Sequence, residues 1–312
     1  MARRNSKKWR SLDGILLLDK PLGVSSNKAL QNTRFLYQAA KAGHTGSLDP
    51  LASGMLPVCF GEATKVSAYL LDADKRYLTT ATLGAVSSTG DAEGELDFRG
   101  AVPGFSDVEL EAVLTEFRGE IHQIPPMYSA LKQQGQPLYK LARQGVSVER
   151  EARTVFIHEL TLQQRTPLTL DLDVRCSKGT YIRSLVEDIG EALGCGAYVS
   201  ALRRTEVSPF QCLPVYTPEF LQQTSEQGGL AALDELLLPM DKALPHLPAL
   251  VLDTSSILRL QQGQKLSLNQ FSEQPPCGLV RTYTESSVFA GLAEVTPQMV
   301  KAKRMLSGLS LN

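Results

Sequence analysis

Asp49 stands directly before Pro50 in a glycine-punctuated stretch, Gly43 to Lys65, with His44 five residues upstream. The proline biases the residue ahead of it toward extended backbone and away from helix. Gly43, Gly46 and Gly54 let the chain turn tightly around it. A carboxylate presented this way, ionised at neutral pH from a reference pKa of about 3.9, can act as nucleophile or general base. The same Leu-Asp-Pro sequence also suits a turn whose carboxylate caps nearby amides, and spacing alone does not separate the two.

Other chemistries lack their sequence marks. There is no G-x-x-x-x-G-K-[ST], no G-x-G-x-x-G after a strand and no G-x-S-x-G, which removes most of the case for phosphoryl transfer, hydride transfer and serine hydrolysis. The five cysteines (59, 176, 195, 212, 277) are odd in number with no C-x-x-C, and the four histidines (44, 122, 158, 246) share no H-x-x-x-H or H-x-H. Neither a disulfide framework nor a zinc cage is predicted. The reaction is expected to run on ordinary side chains, with no cofactor and no metal.

Those side chains need a scaffold, and 312 residues, 43% hydrophobic and 21% charged, suffice for about two domains with a sizeable core. Composition excludes collagen, long coiled coil and wholesale disorder. No apolar run approaches the roughly 18 residues of a membrane span, so no membrane partner is expected. The apolar stretch Ile15 to Leu18 is too short for a signal-peptide core, which predicts a cytoplasmic location. Net charge is −1, but residues 1–50 carry nine Lys/Arg against three Asp, and residues 201–250 three against six. That polarity permits contact with nucleic acid without requiring it.

A loose basic arm is predicted to about Leu12, then a strand, Gly14 to Leu18, and a helix capped by Ser26 or Asn27 with Leu30, Thr33, Tyr37 and Ala40 at helical spacing. Residues 42–65 read as irregular. Strands are predicted at Arg76–Gly84, Gly94–Phe98, Val155–Leu162 and Leu168–Cys176, the last alternating cleanly. Ser106-x-x-Glu109 is a capping box opening a helix through Leu110, Val113, Leu114 and Phe117, stopped by Gly119. Gly179 leads into another helix, bearing Ile182, Leu185, Val186 and Ile189. Pro214 to Pro248 is helical and proline-broken. Beyond it, VLD, KLSL, CGLVRTYT and SVFAGLAEV read as short strands, the last two a hairpin, and the tail KAKRMLSGLSLN as helical or frayed. The fold class is α+β with a mixed, largely antiparallel sheet and flanking helices, followed by a smaller β-rich unit.

Seven blocks carry a resemblance. GHTGSLDPLASGMLPVCFGEATK (43–65) is similar to the signature of the bacterial tRNA pseudouridine-55 synthases, the tRNA pseudouridine synthase B family. GILLLDKPLGVSSN (14–27), DKRY (74–77), IPPMYSALK (124–132), REAR (150–153), CSKGTYIRSL (176–185) and GCGAYVSALRRT (194–205) resemble further blocks of that family, in its order. The last third resembles the family's small β-barrel PUA domain only in position and strand richness.

The resemblance implies a pseudouridine synthase fold over 13–247, with an RNA-gripping insertion at about 124–153, and a PUA-like domain over 248–312. It implies a catalytic set in which Asp49 is the catalytic aspartate, Tyr77 stacks on the target base and is suitably placed for proton transfer, and Arg183 pairs with Asp49. It places His44, Tyr181 and Leu202 around the flipped nucleotide and Lys20 beside the site. The substrate implied is tRNA, held at its T arm and elbow by a monomer without guide RNA; the product is pseudouridine at uridine-55.

Chemistry agrees with these roles. The N1–C1′ bond breaks, the uracil turns and C1′ joins C5, with no redox change or phosphate transfer. A single carboxylate adding to the ring or acting at the sugar would serve, kept charged by an arginine against desolvation. Loss of the C5 proton needs a base within reach, and a stacked uridine must be extruded onto something like Tyr77. Across 128–153, Lys132, Lys140, Arg143, Arg150 and Arg153 face only Glu149 and Glu151, with Tyr128 and Tyr139 interleaved. That suits phosphate contact plus base stacking on a segment expected to be mobile without RNA. GAVSSTGDAEG (84–94) departs from a more threonine-rich family pattern, and Ser47 and Ser53 stand where threonines are common. Three rivals differ: a tRNA-folding chaperone with or without catalysis, the guide-RNA-dependent branch, disfavoured by the basic insertion, and a nucleoside hydrolase, for which no second carboxylate is identified.

Overall fold

The computed structural model describes residues 9–133 and 135–307, so most of the predicted basic arm and the last five residues of the tail lie outside the described residues. Its larger sheet has eight strands. They run in spatial order Gly14–Lys20, Ala52–Phe60, Ala197–Val207, Lys75–Leu83, Thr169–Cys176, Arg153–Arg165 and Gly119–Gln123, with short Ala42–His44 also paired to Ala52–Phe60. Every pairing is antiparallel except Ala197–Val207 on Ala52–Phe60, which is parallel over Ala52–Gly54. The sheet is therefore mixed and largely antiparallel, as the sequence predicts.

Strand alternation sorts the two faces. Tyr77, Ala81, Leu170, Leu172 and Val174 point into one core with Leu110 and Leu114 of the helix Asp107–Glu116 and Leu185, Val186 and Ile189 of the helix Ile182–Ala192. The capping box is present: Ser106 Oγ accepts the Glu109 N–H while Glu109 reaches back to the Ser106 N–H. The intervening residues on these strands are laced by ion pairs, Arg76 with Asp173 at 2.8 Å and Arg175 with Glu159 at 3.2 Å.

A second sheet, of five strands, comprises Ala249–Leu252, Gly278–Thr284, Phe289–Val295, Met299–Met305 and Leu266–Ser267. With the helix Thr254–Gln261 it encloses its own core of Leu252, Ile257, Leu260, Val280 and Val300. Leu292 joins Ile15, Leu17 and Phe210 in another cluster, so the small sheet is seated against the first strand of the large one.

Four expectations are corrected. The first helix, Ser26–Leu36, is capped by Ser25, whose hydroxyl accepts the Lys28 N–H at 3.2 Å; Ser26 is occupied elsewhere, as described below, and Ala40 lies beyond the helix. The stretch 42–65, read as irregular, contains the nine-residue strand Ala52–Phe60. Pro57 is tolerated there because its missing N–H would point to the side where its carbonyl accepts from Thr45, in a gap between the partners of residues 52–54 and 58–60. Gly119 does not simply end a helix; it opens the edge strand Gly119–Gln123. The tail from Lys301 is neither helical nor frayed up to Met305, because it belongs to Met299–Met305, which completes the small sheet beside Phe289–Val295.

Candidate active site

Asp49 sits on the loop joining Ala42–His44 to Ala52–Phe60, and that loop is pinned at residues on both sides of it. The buried Ser26 hydroxyl donates to the Leu48 carbonyl at 2.9 Å and accepts the Leu48 N–H at 2.7 Å. The Gly23 N–H donates to the Pro50 carbonyl at 2.8 Å. At the other end the Gly46 carbonyl accepts from Arg204 Nη2 at 3.1 Å, and Gly46 holds a φ of +80° that suits glycine. Fixed backbone gives the carboxylate a fixed address.

At that address Asp49 Oδ2 lies 3.0 Å from Arg183 Nη2. The Asp49 side chain keeps 42% of its surface open to solvent, whereas Arg183, on the first turn of Ile182–Ala192, is only 5% exposed. Arg183 Nη1 faces a second carboxylate, Asp91 Oδ2, at 3.6 Å and donates to the Thr89 carbonyl at 2.7 Å; Nη2 also donates to the Tyr128 carbonyl at 2.8 Å. Asp91 is itself held by the Thr89 hydroxyl at 2.6 Å and the Glu93 N–H at 3.1 Å. One buried guanidinium thus balances two carboxylates and bonds to two loops. Burial raises the Asp49 carboxyl above its ordinary value; Arg183 opposes this, Asp91 adds to it and Lys20 opposes it. The result is a carboxylate reachable from solvent and less comfortable charged than an ordinary aspartate.

Tyr77, on Lys75–Leu83, is 9% exposed and packs in the same core cluster as Leu48, with Leu202 against that cluster. Burial raises its phenol, and Arg204 pulls the other way. His44 ends its short strand half-buried; burial and then Arg204 lower its pKa, favouring the neutral ring, and Nδ1 finds no partner among the described residues. Lys20 is fully enclosed and donates to the carbonyls of Pro21 at 2.8 Å and Val24 at 2.6 Å. Burial pushes its ammonium down to about 8, with Asp49 opposing. Tyr181 directly precedes the helix that carries Arg183, with the Arg153 guanidinium 4.7 Å from its ring centroid.

Asp49, Arg183, Tyr77, Lys20, His44, Tyr181 and Leu202 therefore lie on the elements around one loop, while the basic residues of the insertion divide. Lys132 on Lys132–Gln133, and Lys140 and Arg143 on the helix Leu138–Arg143, are exposed, with Arg143 5.7 Å from the Tyr139 ring. Arg150 and Arg153 are engaged at the segment's root, Arg150 donating to the Pro125 carbonyl at 2.9 Å and Arg153 to the Gly179 carbonyl. Sequence reasoning missed Ser26 as an anchor of the loop, Asp91 as the second partner of Arg183, and Arg204. Asp91 lies in GAVSSTGDAEG, the block that departs from the family pattern; Arg204 is next but one to Leu202 within GCGAYVSALRRT. Among the described residues no group of three or more His, Cys, Asp or Glu is placed to hold a metal ion, and no helix is long and apolar enough to cross a membrane.

Three family models match in succession: TruB family pseudouridylate synthase (N terminal domain) over residues 34–182, tRNA pseudouridylate synthase B C-terminal domain over 183–245, and Pseudouridine synthase II TruB, C-terminal over 248–306. Similar proteins named tRNA pseudouridine synthase B include one from Marinomonas sp. (strain MWYL1), 51% identical over 301 residues, covering 96% of this chain and 97% of that protein. Another, from Pseudomonas aeruginosa (strain UCBPP-PA14), is 53% identical over 297 residues, covering 95% and 96%. A chain in the crystal structure of a Cbf5-Nop10-Gar1 complex superposes with a TM-score of 0.72 at 27% identity, covering 94% of this chain and 84% of that one. A chain in the structure of an H/ACA RNP bound to a substrate RNA containing 2′-deoxyuridine gives 0.71 at 26%, covering 96% and 86%.

Proposed function

This chain belongs to the TruB family of pseudouridylate synthases, and we propose that it works through Asp49, held charged by Arg183 beside Tyr77. It is an isomerase, a tRNA pseudouridine synthase, converting uridine-55 of the T loop into pseudouridine. The observation that carries the site assignment is the 3.0 Å pair between solvent-reachable Asp49 and buried Arg183 on a loop pinned by Ser26 and Gly23.

The reaction conserves every atom of the nucleotide. The N1–C1′ bond breaks, the freed uracil turns, C5 bonds to C1′, the C5 proton departs and N1 gains one. Asp49 supplies the ionised oxygen for this rearrangement. Arg183 stabilises that charge where burial alone would neutralise it. Tyr77 offers a ring face to the extruded base, with Leu202 on the same core cluster and His44, Tyr181 and Lys20 on the adjoining elements.

Recognition of the T arm and elbow falls to the segment about 124–153, where Lys132, Lys140 and Arg143 are exposed beside Tyr139. Phosphate contacts of this kind supply affinity and its salt dependence. The enzyme acts as a cytoplasmic monomer without guide RNA; independence from a guide is supported by 51–53% identity to proteins named tRNA pseudouridine synthase B against 26–27% to chains of H/ACA-type complexes. On the same reading 13–247 form the catalytic domain and 248–312 the PUA-like domain. The test is to incubate purified protein with unmodified tRNA transcript and no added cofactor, then map pseudouridine chemically. Product confined to position 55 is expected; unchanged transcript from folded protein contradicts the reading.

A further inference from the structure

The segment 124–152 leaves the large sheet at Gln123 and returns to it at Arg153, and these two residues face each other in the ladder between Gly119–Gln123 and Arg153–Arg165. Both reach Tyr181. The Gln123 amide, 0% exposed, accepts the Tyr181 N–H on Oε1 at 2.7 Å and donates from Nε2 to the Tyr181 carbonyl at 3.0 Å. Arg153 covers the Tyr181 ring and donates to the Gly179 carbonyl. The next turn repeats the tie: Ser184 Oγ donates to the Ile124 carbonyl at 3.1 Å, and Arg183 donates to the Tyr128 carbonyl at 2.8 Å.

The helix Ile182–Ala192 needs this anchor. Tyr181 gives it no side-chain cap, and its first turn holds no acidic residue. A buried primary amide is unfavourable unless its donor and acceptor are both used. Here both are closed on the N–H and carbonyl of a single residue, which admits one orientation. A leucine of similar size would leave the Tyr181 N–H without its partner.

We propose that Gln123 is a positioning residue: by closing its amide on the Tyr181 backbone it sets where Arg183 meets Asp49, and it couples that geometry to the root of the RNA-gripping segment. This rests on the Asp49–Arg183 pair being the reacting centre. Gln123 does not touch the substrate; it acts through Arg183. Displacements near 1 Å at a reacting centre slow reactions by up to about a hundredfold, so a slack anchor is felt in rate more than in RNA affinity.

The test uses the full chain and unmodified tRNA transcript, measuring single-turnover rate with enzyme in excess, tRNA Kd and thermal midpoint. Gln123→Leu is expected to slow the reaction at least about tenfold while Kd stays within about threefold. Gln123→Glu, which keeps an acceptor for the Tyr181 N–H, is expected to recover part of the rate. In an Arg183→Lys background Gln123→Leu is expected to add less than about threefold, because the group it positions is already altered. A folded Gln123→Leu protein with wild-type rate, a loss residing wholly in Kd, or fully multiplicative losses with Arg183→Lys would overturn the proposal. If Gln123→Leu does not fold, Ser184→Ala removes the adjacent tie and is expected to slow the reaction at least about threefold, again non-additively with Arg183→Lys; unchanged or additive behaviour overturns it. Inactive wild-type protein sinks the functional reading and this inference with it, whereas active wild type with unaffected variants sinks this inference alone.

Discussion

Arg204 and Tyr77 are register partners on the strands Ala197–Val207 and Lys75–Leu83, and the Arg204 guanidinium bonds outward to two further elements. Nε donates to the Met55 carbonyl at 2.8 Å and Nη2 to the Gly46 carbonyl at 3.1 Å. The side chain is 1% exposed, and its charge draws the Tyr77 phenol down against burial. One enclosed cation therefore ties Tyr77, the strand Ala52–Phe60 and the Asp49 loop together. Nearby, a Cβ added at Gly54, whose φ is +104°, would overlap the Arg204 carbonyl, so the two strands approach as closely as glycine allows.

Replacing Arg204 by Met removes both donors while keeping an unbranched apolar stem. Each orphaned buried carbonyl costs about 1–3 kcal/mol, so Arg204→Met is expected to lose roughly 3 kcal/mol of stability and to slow turnover through a looser Asp49 loop. Urea unfolding reads the first and single-turnover kinetics the second. Wild-type values in both would contradict the role assigned to Arg204.

The pH dependence of the reaction is expected to move in opposite directions when the two partners of the site are changed. On the proposed mechanism Asp49 reacts in its ionised form, and burial raises its pKa while Arg183 lowers it and Asp91 raises it, with Lys20 lowering it further. Arg183→Gln therefore lets the pKa climb, and activity is lost on acidification beginning at a higher pH. Asp91→Asn removes an upward push, and the acid limb shifts to lower pH, even as Arg183 loses a charge partner. Single-turnover pH–rate profiles check both signs. Shifts in the same direction would contradict this electrostatic account.

Much of this was legible in the sequence, for identifiable reasons. Leu168–Cys176 alternates because one face is buried and the other paired with charges, and Ser106-x-x-Glu109 is a local device that forms wherever its helix does. Asp49, Tyr77 and Arg183 stood in blocks that carry a family resemblance. The strand Ala52–Phe60 was hidden because burial on both faces erases alternation, while Gly54 and Pro57 read as turn residues. Ser26 has the side chain of a helix cap, but its hydroxyl is committed to Leu48, 22 residues away. Asp91, Arg204 and Gln123 act on groups far from them in sequence, and no local pattern announces such a partnership.

Glu187 gives stability its own pH signature. It lies on the same helix as Arg183, and a Cβ at Gly90 would come within 2.8 Å of its carboxyl oxygen. Burial pushes its pKa up to about 7, with Asp188 and Asp91 adding to this and Arg183 and Arg150 opposing. A carboxyl raised in the folded state binds its proton more tightly there, so its contribution is full below about pH 4.5 and is lost as pH rises through about 7. Glu187→Gln removes that loss. Urea unfolding of both proteins is expected to show the variant gaining on wild type between about pH 5 and about pH 8; a constant difference would contradict the assignment.

The central claim is that Asp49 performs the rearrangement while other groups bind the RNA. The most direct measurement is tRNA affinity and single-turnover pseudouridine formation for Asp49→Asn beside wild type. Binding is dominated by phosphate contacts elsewhere, so Kd is expected to stay within about threefold while pseudouridine at position 55 falls below detection. Retained product formation by Asp49→Asn, at any rate comparable to wild type, would contradict the account.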